Sequence, residues 1–146
     1  MTNEDSFHVD APLHRTWPVL NDIPRVATCI PNAEITEIVD DHTYRAQVSV
    51  KVGPVSVSYR ATIIVETIDE EAHSATFHIH GDEVKGRGGV RATVITRAVA
   101  DGHRTQISLH TVAQISGVIA TVGGRLIEGV AKKTVAQFAQ SLSAMV

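Results

Sequence analysis

Polar and apolar residues alternate strictly through the middle of this chain. In "TYRAQVSVKV", Tyr44, Ala46, Val48, Val50 and Val52 fall on one face, and Arg45, Gln47, Ser49 and Lys51 on the other. In "VSVSYRATIIVE", Val55, Val57, Tyr59, Ala61, Ile63 and Val65 alternate with Ser56, Ser58, Arg60 and Thr62. Val52-Gly53-Pro54 is the turn between the two runs. The same period continues through Ala75, Phe77 and Ile79, then Val90, Ala92 and Val94, then Ile107, Leu109, Thr111 and Ala113. Asp101-Gly102 marks a further hairpin. A period of two over short spacings predicts an antiparallel sheet with one buried and one solvated face.

The flanks read differently. Residues 4–9 predict a short strand. Asp10 is placed to cap a helix opened by Ala11-Pro12 and running to about Asn21, with Pro18 as a kink. A second helical turn, Pro24 to Cys29, stops at Pro31. At Gly117 the period becomes helical: Val118, Val122, Leu126, Val130, Val135, Phe138 and Leu142 form a stripe at spacings of mostly three and four. About 26 residues at 1.5 Å each predict a helix of roughly 40 Å. The predicted architecture is α+β: a curled antiparallel sheet of six to seven strands wrapped around one long C-terminal helix, with two short helices after the first strand. Residues 1–146 form a single domain.

Within that predicted helix lie Gly123, Gly124 and Gly129. Each helix-interior glycine costs roughly 1 kcal/mol relative to alanine. Either a backbone approaches there or the missing side chains leave room. Gly117, Ala120 and Gly124 share a helical face, and the inward sheet residues Ala46, Val48, Val57, Ala61, Ala92 and Val94 are small or medium in size. Small residues on both surfaces allow two arrangements: close packing, or an apolar space able to accept a guest.

Composition narrows the picture. The 146 residues are 43% hydrophobic and 20% charged, as in an ordinary globular domain, but only 4% aromatic. The core must be aliphatic. The net charge of −3 argues against a dedicated nucleic-acid binder. Cys29 is the only cysteine, so no internal disulfide forms, and a reducing cytosol is expected. "MTNEDSFHVD" is acidic and lacks the apolar run of a secretory leader. Membrane contact is expected to be peripheral.

Specific residues carry a family resemblance. "APLHRTWPVLNDIPRVATCIPNAE" resembles the opening of the CoxG family of carbon monoxide dehydrogenase subunits, through Ala11-Pro12, Trp17, Leu20-Asn21-Asp22 and Cys29-Ile30-Pro31 followed by Glu34. "VKVGPVSVSYRATI" resembles the family's strand–Gly-Pro–strand hairpin. "SGVIATVGGRLIEGVAKKTVAQFAQSL" resembles its helix, at Gly117, Ala120, Gly123, Arg125, Leu126 and Ile127. Asn32 stands where the family has glycine, and asparagine tolerates the left-handed backbone such a turn needs. The proline after the aspartate is shifted by one, to Pro24.

The resemblance implies the helix-grip fold of the START and Bet v 1-like superfamily, which encloses apolar ligands between sheet and helix. It favours a cavity over close packing. It also implies a non-enzymatic carrier with no covalent cofactor. The expected guest is a respiratory quinone such as menaquinone, or an isoprenoid lipid. The expected partner is a carbon monoxide dehydrogenase-type molybdenum hydroxylase, which the protein would link to the inner face of the cell membrane. The candidate lining is Tyr44, Val48, Val57, Tyr59, Ala61, Phe77, Ile79, Val94 and Leu109 from the sheet, with Ala120, Gly123, Gly124 and Ile127 from the helix. Either tyrosine could donate to a quinone carbonyl, although a backbone carbonyl or the cavity rim is the commoner partner. Trp17 and Phe77 could stack on a ring, and core packing is the simpler role for Trp17.

Other motifs carry less. "GRGGVR", residues 86–91, lacks the Gly-Lys-Ser/Thr and following helix of a phosphate loop, and reads as a mobile hairpin at the cavity mouth. Lys85, Arg87 and Arg91 there could meet lipid headgroups or an acidic partner, and Arg125 with Lys132-Lys133 on the helix could touch anionic lipid; a solvated surface is the simpler account of both groups. His78, His80 and His110 could make a metal site only if strand pairing gathered them, and alternation puts His78 and His80 on the solvated face. Cys29 has no base placed beside it and reads as structural. A cyclase or hydrolase of the same fold would need a titratable group inside the cavity, where this reading finds only tyrosines. A pure protein–protein adaptor with a filled core is the third possibility.

Overall fold

A computed structural model describes residues 1–146. Its elements are β1 (Thr2–Val9), α1 (Leu13–Leu20), α2 (Ile23–Ala27), β2 (Ala33–Asp40), β3 (Thr43–Val52), β4 (Val55–Asp69), β5 (Ser74–Glu83), β6 (Gly89–Asp101), β7 (Arg104–Ile115), a 3₁₀ segment (Val118–Val122) and α3 (Gly124–Met145). One sheet holds all seven strands in the order β1-β7-β6-β5-β4-β3-β2, every pair antiparallel. Strands β2 to β7 form a meander, and β1 returns to close the far edge against β7.

The register follows the alternation. Ala46 pairs with Ala61, Ala61 with Gly81, Phe77 with Val94, and Ala92 with Ala113, all on the inner face. Gly53 takes φ +59 in the β3–β4 turn and Gly102 φ +63 in the β6–β7 turn. Asn32 adopts φ 59, the left-handed conformation expected of it.

Four expectations change. First, β2 was not foreseen as a strand. It is an edge strand with two register shifts, and Ile38 and Val39 are exposed, so it shows little periodic burial. Second, Asp10 is not the cap of α1. Pro12 holds that position without a side-chain hydrogen bond, whereas Asp22 caps α2 by accepting from the Arg25 backbone N–H at 3.4 Å. Third, the C-terminal helix does not begin at Gly117. The 3₁₀ segment precedes it, and Gly117 (φ 89) and Gly123 (φ 96) both occupy backbone that non-glycine residues rarely adopt. The helix proper has 22 residues, roughly 33 Å. Fourth, Gly117 and Ala120 therefore share no helical face with Gly124.

The apolar core is divided. The larger cluster gathers α1, α2, the C-terminal half of α3 and one end of the sheet around Val9, Trp17, Leu20, Phe77, Ile107, Phe138 and Leu142. Phe7 meets Phe138 edge-on at 5.9 Å between ring centroids. The smaller cluster, Val52, Val57, Tyr59 and Ile119, lies under the 3₁₀ segment at the opposite end. Between them the inner face is floored by Ala46, Ala61, Gly81, Ala92 and Ala113, which belong to neither cluster.

Candidate ligand-binding site

The space between the sheet and α3 is the candidate site. Only Phe138 and Leu142 of the 22 helical residues are buried. Ile127, Val130, Ala131, Thr134 and Val135, which the 3.6-residue period aims at the sheet, are half-buried. The sheet residues that face them, among them Val48, Ile79, Ala92, Val94 and Thr111, are half-buried too. Ile127 and Val130 pack against the smaller cluster, while the middle of the sheet–helix interface keeps partial solvent access on both sides. The helix is anchored at its far end by Phe138 and Leu142 and at its near end by Ile127 and Val130, and between these anchors the sheet offers only alanines and a glycine as its floor.

The predicted sheet residues all come to this inner face. Tyr44, Val48, Ile79, Val94 and Leu109 are half-buried, while Val57, Tyr59, Ala61 and Phe77 are buried. Phe77 belongs to the larger core cluster, as does Trp17, whose Nε1 donates to Glu70 Oε2 at 2.6 Å and whose ring stands edge-on to His73. Core packing accounts for both rings. Tyr44 packs against the larger cluster, with its hydroxyl 3.5 Å from the Asp41 carbonyl oxygen.

The predicted helix residues fare less well. Ile127 is half-buried against the smaller cluster. Ala120, Gly123 and Gly124 are exposed. A Cβ at Gly123, Gly124 or Gly129 would meet nothing within 4 Å, so no backbone approaches them. Gly123 is required by its positive φ, and the other two leave the helix surface bare. Close approach occurs instead at Gly117 and Gly88. A Cβ on Gly117 would lie 1.6 Å from the Arg87 carbonyl oxygen, and one on Gly88 2.2 Å from that of Ser116. Val118 N–H donates to the Arg87 carbonyl at 3.0 Å, Ser116 N–H to that of Gly89 at 2.9 Å, and Gly89 N–H to Ser116 Oγ at 3.1 Å. The "GRGG" segment is thus a clasp tying the β5–β6 loop to the entry of the 3₁₀ segment, not a free hairpin.

Sequence reasoning missed two acidic residues on the inner face. Glu83 shares parity with Phe77 and Ile79, pairs with Tyr59 in the register, and is 4% exposed. Its Oε1 is ion-paired with Arg87 Nε, and its Oε2 accepts the Lys85 backbone N–H at 2.6 Å. The Lys85 N–H first, and the Arg87 guanidinium after it, hold this carboxyl below the ordinary range, against the opposing effect of burial. Burial, and then the Glu83 charge, push the Tyr59 phenol up, so it stays a protonated donor at neutral pH. Asp5 shares parity with Phe7, pairs with Leu109 and is half-buried. The strand phase was the available signal for both.

The remaining candidates separate. His78 bonds Thr93 at 3.1 Å and Glu66 at 3.0 Å, and His110 bonds Glu4 at 3.1 Å. With His80 they do not converge, and no group of three or more His, Cys, Asp or Glu side chains is arranged to hold a metal. Cys29 is buried in the larger cluster, and that burial raises its thiol pKa. No helix is long and apolar enough to cross a membrane. Open hollows of about 320–410 Å³ lie elsewhere, on the outer face, at the β3–β4 tip and beside Trp17.

A seven-stranded antiparallel sheet gripping one C-terminal helix, with two short helices after the first strand, is the helix-grip fold of the START and polyketide-cyclase class. Solved structures share it. A conserved protein from Geobacillus kaustophilus aligns at TM-score 0.88 and 22% identity, covering 99% of this chain and 94% of that one. A START superfamily protein from Mycobacterium smegmatis aligns at 0.69 and 16%, covering 99% and 96%. The ZhuI aromatase/cyclase from a Streptomyces species aligns at 0.68 and 16%, covering 99% and 92%. No curated protein matches the chain in sequence. The model of the CoxG family of carbon monoxide dehydrogenase subunits matches residues 6–146, and the chain belongs to that family.

Proposed function

We propose that this protein is a non-enzymatic carrier that holds an apolar ligand between its sheet and α3. The observation that carries the reading is the divided core: two apolar clusters separated by a small-residue floor under a helix with two buried residues. The guest is a respiratory quinone such as menaquinone, or a similar isoprenoid lipid. Apolar burial at roughly 25 cal/mol per Å² favours a long hydrocarbon tail over a compact polar metabolite. Tyr59, a protonated phenol whose ring lies over Gly81, is the donor this reading assigns to a headgroup carbonyl. Membership of the CoxG family supports a carbon monoxide dehydrogenase-type molybdenum hydroxylase as partner, with peripheral contact at the inner face of the membrane linking the two.

Glu83 and Asp5 on the inner face favour, as a second reading, a cyclase-like enzyme of this fold. Both Glu83 oxygens are engaged, one by Arg87 and one by the Lys85 amide, which argues against a free general base there. The test is extraction. Lipid-free protein is incubated with quinone-loaded vesicles, and the vesicles are pelleted. Near-stoichiometric quinone in the supernatant is expected. A supernatant free of quinone while the protein still binds its hydroxylase would replace the carrier with a pure adaptor.

A further inference from the structure

The tip of the β3–β4 hairpin outruns both its neighbours, since β2 pairs only as far as Val48 and β5 only as far as Tyr59. A hollow of about 400 Å³ opens against that tip, lined mainly by polar groups: Ser49, Ser56 and Ser58 from the hairpin, Lys51 beside them, and Lys85 and Arg87 from the β5–β6 loop. Neither Lys51 nor Lys85 has a carboxylate within ion-pair distance. Glu83 also lines the hollow, but its charge is matched by Arg87. The net charge of the lining is therefore +2. Ser49 Oγ and Ser58 Oγ lie 3.0 Å apart, a contact that uses one hydroxyl hydrogen and leaves the other to donate. Ser56 has no side-chain partner.

The loop is held in place. Glu83 binds the Lys85 amide and Arg87, and the clasp to Ser116 and Gly117 fixes its far end. Lys85 is thus presented across the hollow from Lys51 by an anchored loop. Two free ammonium groups, hydroxyl donors and a net charge of +2 match a phosphate group, which carries close to two negative charges near neutral pH and three acceptor oxygens. We infer that this hollow is an anion site for a phosphate-bearing ligand, distinct from the apolar space under α3. The phosphate belongs either to a soluble phosphate ester or to an anionic lipid headgroup.

The test uses the whole chain. Inorganic phosphate is titrated at low ionic strength while amide resonances are followed, with chloride at matched ionic strength as control. The variant is K51Q/K85Q, and K132Q/K133Q is the charge-matched comparison. Saturable shifts at Lys51, Ser56, Ser58 and Lys85 are expected, weakened about ten-fold in K51Q/K85Q and unchanged in K132Q/K133Q. Sedimentation with phosphatidylcholine vesicles, with and without phosphatidic acid, distinguishes the sources. Phosphatidic-acid-dependent pelleting lost in K51Q/K85Q assigns a lipid headgroup. Saturable phosphate binding without pelleting assigns a soluble ester. Linear shifts equal to those from chloride with no pelleting, or K51Q/K85Q behaving as wild type in both assays, would overturn the site. Thermal melting confirms that the variants fold.

Discussion

Replacing Ala61 with phenylalanine separates an open site from a filled core. Ala61 lies mid-floor, paired with Ala46 on one side and Gly81 on the other. In a closely packed interior, the extra ring forces side chains off rotamer at a cost of about 1–3 kcal/mol. For a domain of this size that lowers Tm by roughly 3–10 °C. Over an open floor the ring enters unoccupied space, and stability holds or rises. Binding responds oppositely. An apolar guest burying on the order of 300 Å² gains about 7.5 kcal/mol before ordering costs, and a ring that takes a third of that surface removes about 2.5 kcal/mol, close to seventy-fold in affinity. The assay pairs thermal melting with quinone titration. Gly124→Leu is the control, because Gly124 is exposed and nothing lies within 4 Å of its missing Cβ. Ala61→Phe is expected to lose binding at unchanged Tm, and Gly124→Leu to keep both. A large fall in Tm with Ala61→Phe would refute the open floor, and undiminished binding would move the ligand elsewhere.

Further outcomes follow from other contacts. Gly117→Ala places a Cβ on the Arg87 carbonyl at a positive φ and should cost at least about 2 kcal/mol, read by denaturant unfolding; Gly129→Ala, on open helix surface, should add up to about 1 kcal/mol. Glu83 has a depressed folded pKa, so its stabilisation is present above the unfolded carboxyl value of about 4.3 and is lost as pH falls through the folded value. E83Q should therefore lower stability at neutral pH and flatten its acid dependence; an unchanged pH profile counts against the assigned contacts. Trp17→Phe removes the donor to Glu70 and should cost about 1–2 kcal/mol in chemical denaturation. Cys29 should resist alkylation in the native state and react promptly in denaturant, because burial raises its thiol pKa.

The sheet was legible because alternation is enforced by burial of one face, and each run from Tyr44 to Ala113 kept its phase in the structure. The same phase would have exposed Glu83 and Asp5, had parity been followed through charged residues instead of stopping at them. β2 was hidden because an edge strand with two bulges buries too little to leave a pattern. The helix start was misplaced for a different reason. Val118 and Val122 are four apart and fit the α-helical period of 3.6, and nothing in that spacing reports the 3₁₀ turn or the positive φ of Gly117 and Gly123. The glycines that looked like room for a ligand on the helix proved to be a break and bare surface. The sheet positions opposite α3 that keep partial exposure are Val48, Ile79, Ala92, Val94 and Thr111.

The most direct test of the carrier is native mass spectrometry of the protein purified from a quinone-producing bacterial host, followed by organic extraction. A carrier predicts one extra mass per chain that extracts as a quinone or isoprenoid lipid. A bare protein mass, unchanged after incubation with menaquinone or ubiquinone, would contradict it.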